Sequence, residues 1–327
     1  MGTTSDKLAY LNQTKAEIKN AIIDKGVDVT DTDSFRSYAN KITQIKTGSD
    51  EPSSMFGIGL NTWFGNIDSS GALSAPTWSG GVDFTGVTEL KSNALTMSFY
   101  GKTNITSVNF PSLTTVGYFG LQKAFEGCTN LTSFNLGSVA SAGQSGLAHT
   151  FYGCTKLQNA DLSSLVTADQ SGLYYTFNGC TNLVSADLSS LKTIGKNGLY
   201  YSFYNCIKLQ SVDLSSLIEV GDLGLGSAFY SCKALEYINF DSLATIGATA
   251  FSSAFYDCRK LTKISFPSLT SVQANSFGSS SSVTPFRNCS ALAEIHFRAD
   301  MQSAIEAMSQ YANNFGAPST CTIYFDL

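Results

Sequence analysis

The chain has 327 residues, of which 14% are charged and 43% hydrophobic, so much of the charge of an ordinary globular protein, about a quarter of its residues, is replaced by Ser, Thr, Asn and Gly. A formal net charge of -5 gives no electrostatic attraction to nucleic-acid phosphates or to an anionic membrane, which argues against both as partners. The sequence has no apolar run of about 18 residues, and Met1 to Tyr10 lacks the basic-then-apolar pattern of a signal peptide, so a soluble chain without an export address is expected.

The first predicted elements are helical. Leu8, Leu11, Ile18 and Ile22 recur at three-and-four spacing before Gly26, and Phe35, Tyr38, Ile42 and Ile45 do so between about Asp33 and Lys46. Short isolated helices are marginal in water, so the pair is expected either to close as a hairpin or to join other subunits in a short coiled coil. The segment carrying Lys7, Tyr10, Leu11, Thr14, Lys15, Ile18, Lys19, Ala21, Ile22, Lys25, Gly26, Val27, Phe35, Arg36, Tyr38, Ala39, Lys41 and Ile42 resembles a module at the start of bacteriophage tail-associated proteins and some bacterial surface proteins. That resemblance implies that residues 1–48 attach the protein to a larger assembly or oligomerise it.

Residues 49–75 are expected to be a polar linker containing Pro52 followed by a β-rich N-terminal cap. The stretch from Met55 to Trp78 mixes glycines with Phe56, Trp63, Phe64 and Trp78.

From residue 76 to 298 the chain repeats. Cys128, Cys154, Cys180, Cys206, Cys232 and Cys258 are spaced 26 residues apart, with Cys289 and Cys321 beyond them. Aligned on this period, the unit from Cys206 carries Leu209, Val212, Asp213, Leu214, Leu217, Val220, Gly221, Gly224, Leu225, Ala228 and Phe229 before Cys232. A worn copy beginning near Pro76 keeps Val82, Asp83, Phe84, Val87, Leu90, Leu95 and Phe99, and the unit from Cys258 is lengthened by five residues in the Ser-rich stretch from Gly278 to Thr284. Alternation at Val212 and Leu214 predicts a short strand, with Ser211, Asp213 and Ser215 outward. The spacing of Leu225, Ala228 and Phe229 predicts a helical or 3₁₀ turn, with Gly221 and Gly224 marking the corner. One such coil cannot bury its own apolar face, so the expected fold is a solenoid of stacked coils with atypical ends. Residues 299–327 should cap it, with Asp300 capping a helix that bears Ile305, Met308, Tyr311 and Phe315, Gly316 ending it, and a last strand from Thr320 to Phe325.

The Leu-x2-apolar-x-Leu-x2-Leu core and the Ala/Thr-Phe-Tyr-x-Cys-x2-Leu junction resemble leucine-rich repeats of the BspA type, over about Pro76 to Phe297. The resemblance implies a solenoid used for adhesion or recognition, with no catalytic residues to carry over and no cofactor. Taken with the first 48 residues, it leads to a non-catalytic protein that binds a bacterial or host surface protein or glycan. Its setting would be a phage tail (virion) or, alternatively, a bacterial cell surface.

Searches for chemistry return little. His149 and His296 are too far apart in the repeat for a histidine triad or a multi-histidine metal site, and Gly101-Lys102-Thr103 lacks the upstream glycine of a phosphate loop. The column Cys128, Cys154, Cys180, Cys206, Cys232, Cys258 and Cys289 matches no zinc-finger spacing and reads as buried free thiols filling the core. Two outward columns are candidate ligand sites. Stacking would align Asp161, Asp187 and Asp213 at about 5 Å intervals, where they either attract a cation or help orient the Ser-Ser corner. It would also gather Tyr174, Tyr175, Tyr200 and Tyr201, with His149 one coil earlier and Tyr152, Tyr204, Tyr230 and Tyr256 close by, into an aromatic patch suited to sugars or protein or simply covering the core.

Overall fold

Each repeat closes into one coil because its apolar side chains form an inward set that only neighbouring coils can cover. The computed structural model describes residues 18, 19 and 80–327, and the chain divides into two units, Met1–Thr77 and Trp78–Leu327. The predicted N-terminal helices, linker and aromatic cap lie outside the described residues, except for Ile18 and Lys19, which are helical.

The second unit is a parallel β-solenoid. The predicted strands are present at Ser133–Asn135, Asn159–Asp161, Ser185–Asp187, Ser211–Asp213 and Tyr237–Ile238, among others, and the last four pair in register from coil to coil, so that Val212 pairs with Ala186 and Ile238. Val212 and Leu214 are buried, while Ser211 and Asp213 face solvent. Even the worn first copy contributes a covered core of Val82, Phe84, Leu90 and Phe99.

A second strand, absent from the sequence reading, follows the first in every described coil but the last. Pairs such as Thr167–Ala168, Thr193–Ile194, Glu219–Val220 and Thr245–Ile246 build an eight-stranded parallel sheet from two-residue strands. Two residues show no alternation, and only pairing with the coils on either side defines them as strand. Gly221 follows such a pair because the coils approach closely there: a Cβ would sit 3.0 Å from the Gly195 carbonyl carbon and 3.0 Å from the Lys196 nitrogen.

The predicted tight turn is built of i to i−3 hydrogen bonds, as in a 3₁₀ turn, but it does not continue as a helix. The N–H groups of Tyr200, Ser202, Tyr204 and Cys206 donate back three residues within the coil. The alternate N–H groups, of Leu199, Tyr201, Phe203 and Asn205, donate to the carbonyls of Gly224, Gly226, Ala228 and Tyr230 in the next coil at 2.8 to 3.0 Å. Every fourth residue is left-handed, as at Asn197, Tyr201 and Asn205 with φ of 55°, 56° and 60°, which breaks the helix and frees half of the donors for the neighbouring coil.

Phe125, Phe151, Phe177, Phe203, Phe229 and Phe255 form a column of stacked rings through the core, with centroids 5.3 to 6.0 Å apart. Beside it runs the cysteine column. Each thiol donates to the carbonyl of the Phe one coil earlier, Cys180 to Phe151, Cys206 to Phe177 and Cys232 to Phe203, all at 3.1 Å. All eight cysteines are buried and free. Burial pushes the Cys128 thiol up to about 11 and the Cys289 thiol up to about 12, so thiolate, the reactive form, is scarce. Native protein at pH 8 is therefore expected to react slowly with Ellman's reagent at all seven column thiols and fully once denatured. Prompt native labelling of several would contradict a thiol-filled core.

The C-terminal cap differs from expectation. Asp300 does not cap a helix; it pairs with Arg298 at 2.9 and 2.6 Å, and the first turn has no side-chain cap. The single helix expected there is divided into a 3₁₀ turn Ala299–Met301, an α-helix Gln302–Glu306 and a turn Tyr311–Gly316. Left-handed Asn314, Phe315 and Gly316, with φ of 52°, 53° and 83°, turn the chain so that Phe315 is wholly buried. Thr322–Phe325 then pairs in parallel with Glu294–Phe297, and His296, bonded to Asp326 at 2.8 Å and to Glu294 at 3.1 Å, ties the last strand to the coil beneath it.

Candidate functional site

The turn segment decides which side chains share a surface. Leu199, Phe203 and Cys206 point inward and are fully buried, so Tyr200, Tyr201 and Tyr204 are left half-exposed on the outside. Because the N–H of His149 bonds the Tyr174 carbonyl and that of Tyr175 bonds the Tyr200 carbonyl, equivalent side chains of successive coils stand directly above one another.

The result is an aromatic wall. His149 stacks on Tyr175 with centroids 4.9 Å apart and planes 4° apart, and Tyr175 stacks on Tyr201 at 4.7 Å and 11°. Tyr174 stacks on Tyr200 at 5.7 Å. A second column continues the wall, with Tyr204 on Tyr230 at 4.7 Å and Tyr230 on Tyr256 at 4.3 Å, joined to the first through Tyr201 and Tyr204 at 5.1 Å. His149, Tyr175 and Tyr201 all hold left-handed backbone, with φ of 56° in each. That conformation costs a bulky residue about 1–2 kcal/mol, and the ring stack together with the hydrogen bonds between coils offsets it.

Three hydroxyls of the wall are held protonated. Burial, and then the neighbouring Tyr201, push the Tyr200 hydroxyl up to about 12, and burial pushes Tyr230 to about 12 and raises Tyr175 as well. These groups stay protonated near neutrality and can donate as well as accept hydrogen bonds. At the lower end, burial and the charge of Lys123 bring His149 down to about 4, which makes it a neutral ring at pH 7, and burial raises Glu126. His149 Nδ1 and Glu126 Oε2 face each other at 3.8 Å, and neither has a hydrogen-bond partner. The period alone gave no reason to connect Lys123 and Glu126 with this site.

The predicted aspartates are separate from the wall and lie on the strand sheet. Asp161, Asp187 and Asp213 are direct register partners and line a shallow groove with Ser185, Tyr237 and Asn239. Each turns one oxygen to its own corner: Asp161 accepts from the Ser163 N–H at 3.1 Å and its hydroxyl at 2.7 Å, while Asp187 and Asp213 accept from the N–H of Ser189 and Ser215 at 2.9 Å. The Ser163 hydroxyl and N–H hold the Asp161 carboxyl below its usual value. The carboxylates thus shape the turn after each strand. Among the described residues, no three His, Cys, Asp or Glu side chains are grouped to hold a metal ion.

Comparison with known proteins follows the repeat. The model of the BspA type leucine rich repeat region matches six copies, over residues 93–201, 148–284 and 252–314. Among solved structures, internalin C2 from Listeria monocytogenes str. 4b F2365 is similar at 15% identity, over 65% of this chain and 77% of that one, with a TM-score of 0.33. A leucine-rich repeat protein from Eubacterium ventriosum ATCC 27560 is similar at 21% identity, over 67% of this chain and 66% of that one, with a TM-score of 0.33. No curated protein matches the chain. With repeat copies spanning residues 93–314, well over half of its length, the chain belongs to the BspA-type leucine-rich repeat family.

Proposed function

We propose that the protein is a non-catalytic recognition protein, an adhesin or receptor-binding component, that holds a surface ligand against its aromatic wall. The observation that carries this reading is the continuous run of half-exposed rings over successive coils, from His149 to Tyr256, with His149, Tyr175 and Tyr201 held in backbone that is costly for such residues. Tyr is favoured in recognition because it offers a large rigid body, a polar tip and little entropy to lose. The family's repeats are generally binding scaffolds. A phage-tail setting rests on residues 1–48 alone, which the family match does not reach; a bacterial cell-surface setting fits the repeat equally well.

The test is retention on intact bacterial cells and on immobilised host extracellular proteins. Replacing Tyr175 and Tyr201 together by alanine is expected to lower retention about tenfold or more, with the folded circular dichroism spectrum kept, since such rings behave as binding hot spots. Undiminished retention would remove the wall from the binding surface.

A further inference from the structure

The second tyrosine column has one gap. Successive coils place Tyr152, Asn178, Tyr204, Tyr230 and Tyr256 above one another, as the backbone bonds from Gly153 to Asn178, from Gly179 to Tyr204 and from Asn205 to Tyr230 establish. Above the gap the rings stack on each other at 4.7 and 4.3 Å. At Asn178 no ring is present, which leaves a slot between Tyr204 and Tyr152 two coil repeats wide, roughly 10 Å at about 4.8 Å per coil, with Tyr152 stacked on Tyr175 at 6.4 Å. Tyr175 and Tyr201 form the inner side of this slot. Its outer side is the bare backbone of Gly153 and Gly179, and a Cβ at Gly153 would meet nothing within 4 Å.

Asn178 itself is anomalous. It is 7% exposed, and its side-chain amide has no hydrogen-bond partner among the described residues, although its polar atoms are not sealed from the surface. The buried hydroxyls nearby are all used: Thr150 donates to the Leu121 carbonyl at 2.9 Å, Thr176 to Leu147 at 2.8 Å, and Ser202 to Leu173. The Asn178 amide is thus left to water or to a ligand at the one position where the column lacks a ring.

We propose that the slot between Tyr152 and Tyr204 is a binding site for one neutral pyranose residue of a glycan, with the Asn178 amide as its hydrogen-bonding floor. This deepens the recognition reading and rests on it. A pyranose presents C–H faces that pack on the two tyrosine rings, and its hydroxyl rim meets the amide, which offers two donors and one acceptor. An inserted aromatic side chain of a peptide would fill the same space but leave Asn178 buried and unpaired. None of the slot side chains is charged, so a neutral sugar fits where an acidic one would find no counter-ion.

The experiment uses the full chain and defined probes: neutral oligomers of glucose, N-acetylglucosamine, mannose, galactose and rhamnose, followed by saturation-transfer-difference NMR. At least one is expected to bind with a Kd on the order of 0.1–1 mM, as suits a single shallow subsite. Asn178→Tyr, which supplies the residue found elsewhere in the column, should weaken that binding about tenfold or more while leaving the melting temperature unchanged or higher. Asn178→Ala, which keeps the slot open but removes the amide, should weaken it less. No binding by any oligomer, or binding unchanged in Asn178→Tyr, overturns the proposal. If an aromatic-rich peptide is bound instead and is displaced by Asn178→Tyr, the slot is a peptide site and the glycan assignment falls. Loss of cell or protein retention in the Tyr175 and Tyr201 double variant, with no oligosaccharide bound, would sink this inference and leave the broader recognition reading standing.

Discussion

Phe203→Ala is expected to lower the unfolding free energy by about 3–5 kcal/mol, the range for deleting a fully buried aromatic ring and leaving part of its cavity. Phe203 is wholly buried, and its ring is stacked between Phe177 at 5.3 Å and Phe229 at 5.5 Å. The position makes the loss more consequential than in a globular core. A solenoid is stabilised by terms within each coil and between neighbouring coils, so one weakened middle coil loosens the coupling of both halves. The urea transition should shift to lower midpoint and broaden or divide. Hydrogen exchange should quicken first at the N–H groups of Leu199, Tyr201 and Asn205, which bridge to the next coil. A variant within about 1 kcal/mol of the parent, with the same sharp transition, would mean that the phenylalanine column does not carry the stack.

Gly137→Ala is expected to cost about 2–4 kcal/mol, combining left-handed backbone with a clash that only backbone movement relieves. Gly137 has φ of 60°, and a Cβ there would sit 2.6 Å from the Phe110 carbonyl oxygen, 2.7 Å from that of Leu113 and 2.8 Å from the Leu113 nitrogen. All three are main-chain atoms of the preceding coil. The residues in the same place two positions after the strand in later coils, Ser163, Ser189 and Ser215, make the same turn bond to their Asp without left-handed φ. Ser163→Ala is therefore the control, with an expected cost below about 1 kcal/mol for one exposed hydroxyl bond. Thermal or urea unfolding of the pair measures the difference. Equal costs would show that the close approach at Gly137 is relieved without penalty.

Much of the fold was legible because a stack constrains every unit in the same way. The inward positions of Val212, Leu214, Leu225, Phe229 and Cys232 could be read from one unit and checked in six others. What the sequence missed or left open has local causes. Glu219–Val220 is a strand only through its partners in the coils before and after, and two residues carry no periodic signal. Apolar residues three and four apart suit a helix and a run of i to i−3 turns alike, and the left-handed residues that separate the two are Leu223, Ser227 and Ser231 in one coil, with no glycine among them to announce the bend. At the C-terminus, Asp300 has the composition of a helix cap, but Arg298 two residues earlier takes its carboxylate.

The candidate site divides in the same manner. That Tyr174, Tyr175, Tyr200 and Tyr201 would share a surface followed from their places in the period. The interruption of a tyrosine column at Asn178 was also visible in the aligned units, but an asparagine in a repeat carries no mark of being buried and unpaired.

The sequence by itself determined the length of a coil, the identity of its core and the order of its outward columns. In a stack each residue has its own equivalents as neighbours, so a period of 26 residues specifies those contacts directly. Only the tertiary structure decided which outward columns meet. Stacking of His149, Tyr175 and Tyr201 and attachment of Tyr204 to them depend on the directions taken at left-handed residues. Those directions arise from competition for backbone hydrogen bonds within and between coils, which no single unit contains.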